Sequence, residues 1–410
     1  MPTKRAQTKK PKKDHKPSKA IFLEAAVEDW NSEDAAELRE SIKDSSIKDI
    51  SVFSRDWTVE TIVNQIRLGN IDLDPDFQRR NAWHDERRSK LIESFVLGFP
   101  VPQIVLAENP QKKKSFIVID GKQRLMTIAG FYLKEYRSYW DKPRMQGLKI
   151  LERLNKIDID TFLEEAKYGD DRRQLSNADI RTTVISGFHD EGLLYDIFYR
   201  LNTGSVPLSS QELRQVLHRG DFSKFLVQVT NDPNPLWKVL NLNRPDPRLR
   251  DIELLLRLIA ISVFSSQYKG NLKQFLDVST KRLNQEWDKK SAQIKTLTNE
   301  IFAATEALSE IFDDNVGKKY SEDNGYESRI NRAIFEVQSF YLQQSSVRKL
   351  AIKRKTNVVR AFEKLCTENP EFMSSVEATT KSVENYKIRF KTYGDAMEKA
   401  IGQKLIRPNL

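Results

Sequence analysis

The fold is decided by the stretch Phe116-Ile-Val-Ile-Asp-Gly-Lys-Gln-Arg-Leu125. Its first four residues are apolar, so that both faces of the segment would be buried, which predicts a central β-strand. Helical spacing of apolar residues resumes after Arg124 and continues to Leu133. Gly121 permits the sharp turn between the two, because glycine adopts backbone conformations that other residues avoid. The stretch therefore predicts a strand, a tight loop and a helix.

The segments before this stretch predict further elements of a small α/β unit. Helical spacing follows Thr58, which is placed to cap the helix, and Gly69 is placed to end it. Residues 85–97 have the apolar pattern of an amphipathic helix, and residues 104–107 form a second strand-like run. A polar turn separates that run from the strand at residues 116–119.

The predicted fold class is α+β, a small α/β head followed by a mainly α-helical body. The residue pattern after Leu148 predicts only helices, which are interrupted by Pro and Asn clusters at residues 231–235 and 243–247. The predicted organisation is a basic tail at 1–20, an adaptor at 21–51, the head at 52–147, a helical segment at 148–260 and a helical C-terminal region at 261–410.

The net charge of +10 is concentrated at the two ends of the chain. Residues 1–20 and residues 341–410 each carry an excess of seven positive charges, and the residues between them are net acidic. The first segment has almost no large apolar side chains, so it is expected to be disordered. Its lysines Lys9, Lys10, Lys12 and Lys13 are expected to contact DNA phosphates, and the alternative is a tail that only increases solubility.

Composition also excludes several classes of protein. No run approaches the roughly 20 apolar residues of a membrane helix, and the N-terminus lacks the apolar core of a signal peptide. We therefore expect a cytoplasmic protein without a membrane partner. The single cysteine, Cys366, excludes an intramolecular disulfide and is expected to be a small buried apolar residue.

The Asp120 to Arg124 loop contains the strongest candidate site. Amides at the start of the following helix, together with Lys122 and Arg124, suit a phosphate group. Asp120 could hold a divalent ion. The alternative is that Asp120 only caps the helix and the basic side chains are solvated.

Two further polar clusters flank the loop in sequence. In residues 74–83, Arg79 could make bidentate contacts with phosphate. Trp83 could stack on a base or anchor the turn in the core, and the structural role is favoured. In residues 198–214, Ser209 and Glu212 have the spacing of a helix start, and the polar turn at 202–205 could close over a ligand.

Several known catalytic arrangements are missing from the sequence. There is no Gly-x-x-x-x-Gly-Lys-Ser/Thr loop and no Gly-x-Ser-x-Gly elbow. The histidines are isolated from one another, so none has the paired setting of a metal-dependent HNH nuclease. A P-loop NTPase, a serine hydrolase and an HNH nuclease are therefore not expected.

Four groups of residues occur together in a characteristic order. They are Gln78-Arg79 with Trp83, Leu91-Ile-Glu-Ser94 through Gly98-Phe-Pro-Val-Pro102, Ile119-Asp-Gly-Lys-Gln-Arg-Leu125, and Arg200-Leu-Asn-Thr-Gly204 with Gln211-Glu-Leu-Arg214. In this order and spacing they closely resemble the N-terminal domain of GmrSD-type modification-dependent restriction enzymes. The resemblance runs from about Trp57 to Arg257.

This resemblance implies a ParB/sulfiredoxin-like head that binds and hydrolyses a nucleoside triphosphate with Mg²⁺. Carried over to the matching positions, it implies catalytic roles for Gln78, Arg79, Asp120, Gln123 and Arg124, nucleotide contacts by Gly121, Lys122, Arg124, Arg200, Asn202 and Thr203, and metal binding by Asp120. Lys122 departs from the family motif Asp-Gly-Gln-Gln-Arg. The region after Arg257 contains no histidine, so the usual base of a second, HNH-like domain is missing.

The leading functional hypothesis is a nucleotide-hydrolysing component of a prokaryotic anti-phage or modification-dependent restriction system. DNA and a separate nuclease subunit are the expected partners, and the sequence does not indicate an oligomeric state. Two alternatives stay open. One is a non-catalytic module that binds nucleotide or DNA and recruits a nuclease, and the other is a stand-alone DNA-nicking nuclease.

Deleting residues 1–20 should weaken non-specific DNA binding and flatten its salt dependence, because the deletion removes up to eight cationic contacts. Titration of a labelled duplex at several salt concentrations measures both quantities. An unchanged salt slope in the truncated protein would show that the tail serves only solubility.

Overall fold

The computed structural model describes residues 50–71, 73, 83–109, 112–187, 209–377 and 382–409. Within them the protein is α+β, with a small mixed sheet in the first part and a mainly helical body after it, as predicted. The predicted tail with Lys9, Lys10, Lys12 and Lys13, and nearly all of the predicted adaptor, lie outside the described residues.

The head is built on a four-stranded sheet. Its strands are β1 (Ser51–Thr58), β2 (Ile104–Glu108), β3 (Phe116–Asp120) and β4 (Asp179–Ser186), arranged in the order β1-β4-β2-β3. β4 runs antiparallel to β1 and parallel to β2, and β2 forms an antiparallel hairpin with β3.

Helices and short 3₁₀ turns complete the head. They are α1 (Val59–Arg67), α2 (Asp85–Val96), α3 (Lys122–Tyr132), α4 (Ile159–Glu164) and α5 (Gly169–Asn177), with 3₁₀ turns at Lys134–Tyr139, Glu152–Leu154 and Ala166–Tyr168. The predicted cap of α1 is confirmed, since the Thr58 hydroxyl accepts from the Thr61 amide at 3.1 Å.

Two predictions about strands are wrong. β3 lies at the edge of the sheet and not in its centre. Its apolar character reflects burial by helices, because Val118 belongs to the head core while a helix of the body packs against the strand.

β4 contradicts the expectation of only helices after Leu148. Thr182 and Thr183 made the segment look polar, yet both side chains are buried. The Thr182 hydroxyl donates to the Ile180 carbonyl oxygen at 3.3 Å, and the Thr183 hydroxyl donates to Gln103 Oε1 at 3.2 Å. Threonine is β-branched and suits a pleated strand once its hydroxyl has a partner. The predicted boundary at 147 therefore falls inside the head.

The body is helical apart from one short hairpin, β5 (Tyr320–Ser321) with β6 (Gly325–Tyr326). Its helices are α6 (Ser210–Leu217), α7 (Asp221–Asn231), α8 (Pro235–Val239), α9 (Arg250–Phe264), α10 (Leu272–Gln285), α11 (Trp287–Phe312), α12 (Arg332–Leu342), α13 (Ser345–Lys353), α14 (Lys355–Glu368), α15 (Pro370–Glu377) and α16 (Val383–Ile401), with 3₁₀ turns at Ser265–Gln267 and Asp313–Asn315.

Two hydrophobic cores divide the described residues. The head core extends from Val59 to Val184 and the body core from Phe222 to Leu405. Cys366 is buried in the body core as predicted, and burial raises the pKa of its thiol to about 11. In the part of the chain that the structure describes, no helix is both long and apolar enough to cross a membrane.

A buried ionic cluster joins three helices of the body. Arg257 of α9 donates to Glu253 Oε1 at 2.8 Å and to Glu336 Oε1, on α12, at 3.2 Å. From α16, the Tyr386 hydroxyl donates to Glu336 Oε2 at 2.9 Å and Arg389 donates to the same oxygen at 3.5 Å. Burial alone would lower the pKa of Arg257, but the carboxylates of Glu253 and Glu336 more than offset it and raise that pKa.

Replacing Glu336 with alanine should lower the free energy of unfolding by about 3–5 kcal/mol, because Arg257 and Arg389 would stay buried without their shared carboxylate. Equilibrium denaturation measures this change. Glu327→Ala, which removes a surface carboxylate paired with Lys319, is the control and should cost only about 0–1 kcal/mol. Equal effects of the two substitutions would contradict the assigned role of the cluster.

Candidate functional site

Gly121 forms the junction between β3 and α3. Its φ is +93°, a left-handed conformation that side chains with a Cβ rarely adopt. The space around it is also closed, since an added Cβ would lie 2.9 Å from Ile104 Cγ1 and 3.2 Å from Arg124 Nη2. The backbone of the loop is therefore held against the start of β2, and α3 begins immediately after the strand ends.

Asp120 and Arg124 form an ion pair across this turn. Arg124 Nη2 donates to Asp120 Oδ2 at 2.8 Å and to the Gln103 carbonyl oxygen at 2.8 Å. The alternative prediction, that Asp120 caps the helix, is not what the structure shows, because Gly121 is the N-cap residue of α3 and no side chain caps it. The two residues expected to hold metal and phosphate are thus paired with each other.

The first turn of α3 is a favourable place for an anion. Its leading amides have no acceptor within the helix, and the dipole of the helix is positive at this end. Within the described part of the chain, Gln123 Oε1 and Arg124 Nε are buried without a hydrogen-bond partner. A bound group could satisfy both atoms, since one accepts and the other donates.

A helix of the body brings a second carboxylate to the loop. Glu212 of α6 lies 3.2 Å from Arg248 Nη1 and accepts from the Ser209 amide at 2.6 Å. Burial raises the pKa of Glu212, and the charges of Arg248 and Lys122 partly lower it again. Lys122 is therefore close enough to Glu212 for their charges to interact. Ser209 and Glu212 form a capping box, which confirms the predicted helix start.

α6 is fastened to the body by buried polar contacts. Arg214 Nε donates to Asp277 Oδ1, on α10, at 2.6 Å. Gln215 donates to the Ser223 carbonyl oxygen at 3.0 Å. Asn284 of α10 donates to the His218 carbonyl oxygen at 2.8 Å. Because the same helix packs against β3, the candidate site lies where the head meets the body.

The structure tests the placement of only some predicted site residues. It brings Asp120, Gly121, Lys122, Gln123 and Arg124 together at one turn. Other predicted residues, Gln78, Arg79, Arg200, Asn202 and Thr203, lie outside the described residues.

Sequence analysis missed three groups at this turn, namely the Gln103 carbonyl, Glu212 as a charge partner, and Arg248. The sequence offered one indication of Glu212, because the motif Gln211 to Arg214 contains more polar side chains than a helix start requires. Trp83, expected to be structural, packs partly buried against the head core with Arg87 stacked on its ring at 4.3 Å.

The candidate metal ligand stands apart from other metal-binding side chains. Among residues 50–409 that are described, no three His, Cys, Asp or Glu side chains form a group that could hold a metal ion. A Mg²⁺ ion at Asp120 would therefore take its other ligands from phosphate and water, which is usual for this ion.

Comparison with known families identifies part of the chain. Residues 59–219 match the family described as GmrSD restriction endonuclease, N-terminal domain. The match supports the predicted resemblance to a GmrSD-type N-terminal domain over these residues, and it suggests a restriction-system protein. No curated protein and no solved structure shows significant similarity to the chain. The matched segment includes the Asp120 loop and α6, and it ends before the body core begins.

Gly121→Ala should destabilise the protein by about 2–5 kcal/mol, because the substitution adds backbone strain of about 1–2 kcal/mol to overpacking of about 1–3 kcal/mol. Gly98→Ala is a matched control, since Gly98 also has a positive φ of +68° but an added Cβ there meets nothing within 4 Å. Thermal or chemical denaturation compares the two. Similar losses would show that the space around Gly121 is not restrictive.

Proposed function

We propose that the turn at Asp120 to Arg124 binds the phosphates of a nucleoside triphosphate and supports its hydrolysis within a restriction system. The observation that carries the proposal is the convergence of a glycine-held helix start with Lys122 and with Arg124, whose buried Nε has no hydrogen-bond partner and can donate to a phosphate oxygen. The matched domain supplies the restriction context.

The charges at the turn favour an anion. Lys122, Arg124 and Arg248 are cationic, and Asp120 and Glu212 offset two of these three charges. The local sum of +1 adds to the positive end of the α3 dipole. Phosphate oxygens accept from backbone amides and from cations, and both kinds of donor are present here.

Arg124 must change partner for this function. Its Nη2 is engaged by Asp120 and by the Gln103 carbonyl, so a phosphate would compete with both acceptors. Asp120 is the residue at this turn that would hold a Mg²⁺ ion, and such an ion would supply charge stabilisation to the transferred phosphoryl group. With Asp120 occupied in this way, Arg124 would be free to donate to a phosphate oxygen. Binding of nucleotide and metal should therefore be cooperative.

Hydrolysis by this site would convert a nucleoside triphosphate and water into the diphosphate and inorganic phosphate. The turn contributes orientation and charge, which are the main needs of phosphoryl transfer. We extend the proposal, by the resemblance alone, to a ParB/sulfiredoxin-like head, to DNA as the molecule acted on or sensed, and to a separate nuclease partner.

A binding module without turnover is the second candidate. Lys122 favours it, because a cation replaces the glutamine usual in this family and would strengthen phosphate binding without supplying a hydrolytic group. For the third hypothesis, a stand-alone nicking nuclease, we find no supporting observation in the described residues.

Arg124→Ala should weaken nucleotide affinity roughly ten- to a hundredfold, because it removes a charge-assisted contact of about 1.5–3 kcal/mol. Asp120→Ala should abolish turnover and leave much of the affinity, since it frees Arg124. Isothermal titration and phosphate release measure these quantities.

Arg181→Ala and Asp56→Ala are matched controls, because they break an exposed Arg–Asp pair at the opposite edge of the same sheet, with Nε to Oδ1 at 3.0 Å. Both should bind and hydrolyse nucleotide like the unaltered protein. If Arg124→Ala and Asp120→Ala also did so, the site assignment would be wrong. Nucleotide binding with no phosphate release in the unaltered protein would select the binding module.

A further inference from the structure

We propose that the junction of α13 and α14, with the end of α16, is a surface that binds the phosphate backbone of duplex DNA. We define this basic corner as Lys349, Lys353, Arg354, Lys355 and Lys404. It lies in the body, outside the matched domain, and does not depend on nucleotide binding at the Asp120 turn.

The sequence around the corner carries positive charge without compensation. No Asp or Glu occurs between Glu336 and Glu363, and this interval contains six Lys and Arg residues. Three of the six are consecutive, at Lys353, Arg354 and Lys355.

The packing of α13 directs its cations outward. Val347 and Ala351 are fully buried and attach one face of the helix to the body core. Arg348 is used structurally, since it pairs with Glu300 at 2.9 Å and donates to the Leu342 carbonyl oxygen at 2.9 Å. Lys349 and Lys353, one helical turn apart, are exposed.

Arg354 connects this junction to the end of α16. Its Nη1 donates to the Ile401 carbonyl oxygen at 2.8 Å and lies over Gly402, where an added Cβ would be 2.8 Å away. The contact brings Lys404, which is exposed and two residues beyond Gly402, to the same corner. Glu398, a carboxylate near the end of α16, is already paired with Arg407 at 3.0 Å and accepts from the Leu405 amide.

These features favour DNA over an acidic protein as the partner. The exposed lysines are interspersed with the small polar side chains Ser345, Ser346, Thr356 and Asn357, which are also exposed and can bond to phosphate oxygens. Among the described residues of α13 and α14 no large apolar side chain is exposed, and Ile406, two residues beyond Lys404, is a lone exposed one, whereas protein interfaces usually need a cluster of such anchors. Contacts of this kind would give affinity without sequence specificity.

The test uses the full chain, including its basic tail, and a fluorescently labelled duplex of mixed sequence. The variant K349A/K353A/K355A should reduce affinity by about tenfold or more and reduce the magnitude of the slope of log affinity against log salt by up to about 2.7, for three lost phosphate contacts. Its melting temperature should be unchanged, since the three side chains are exposed.

The control is K281A/K289A/K295A, which removes the same charge from exposed lysines on α10 and α11. It should retain most of the affinity and the full salt slope. Equal losses in the two variants would show that net charge alone governs binding and would overturn the proposal. An unchanged duplex affinity of the corner variant would also overturn the proposal. Loss of binding to an acidic polypeptide in that variant would not rescue it. Nucleotide affinity, measured on the same samples, should be normal in both.

Discussion

The arrangement of this protein depends on the backbone conformation of Gly121. A left-handed residue at this position lets β3 pass directly into α3, and the contact with Ile104 leaves no room for a side chain. As a result Asp120 at the end of the strand and Arg124 in the first turn of the helix face each other at bonding distance. A longer loop would have separated the strand end from the helix start, and the polar groups would not share one site.

α6 connects this turn to the body. Its Glu212 and Arg214, two residues apart, point to different partners, Glu212 to Arg248 near the loop and Arg214 to Asp277 of α10. The matched domain ends at residue 219, yet α6 is held by residues beyond that limit. A change in charge at Lys122 can therefore reach the body through Glu212. If nucleotide binds at the turn as proposed, this connection would link it to the rest of the protein.

Sequence patterns predicted the local elements well where hydrophobic spacing and caps agree. Thr58, the apolar face of α2 and the capping box at Ser209 and Glu212 were recognisable because each depends on residues close in the chain. β4 was missed because its threonines look polar until their hydroxyl partners are known, and the edge position of β3 was missed because helices bury it. The Gln103 carbonyl that accepts from Arg124, and Arg248 that pairs with Glu212, are distant in sequence from the residues they contact and carry no local signal.

The central claim is that Asp120 and Arg124 exchange partners when nucleotide binds. A crystal structure of the protein with a non-hydrolysable nucleoside triphosphate and Mg²⁺ tests it most directly. Our account predicts phosphates against the first turn of α3, Arg124 bonded to a phosphate oxygen, and Asp120 facing the metal. A nucleotide bound elsewhere, or phosphates at the loop with the Asp120 to Arg124 pair still intact, would contradict it.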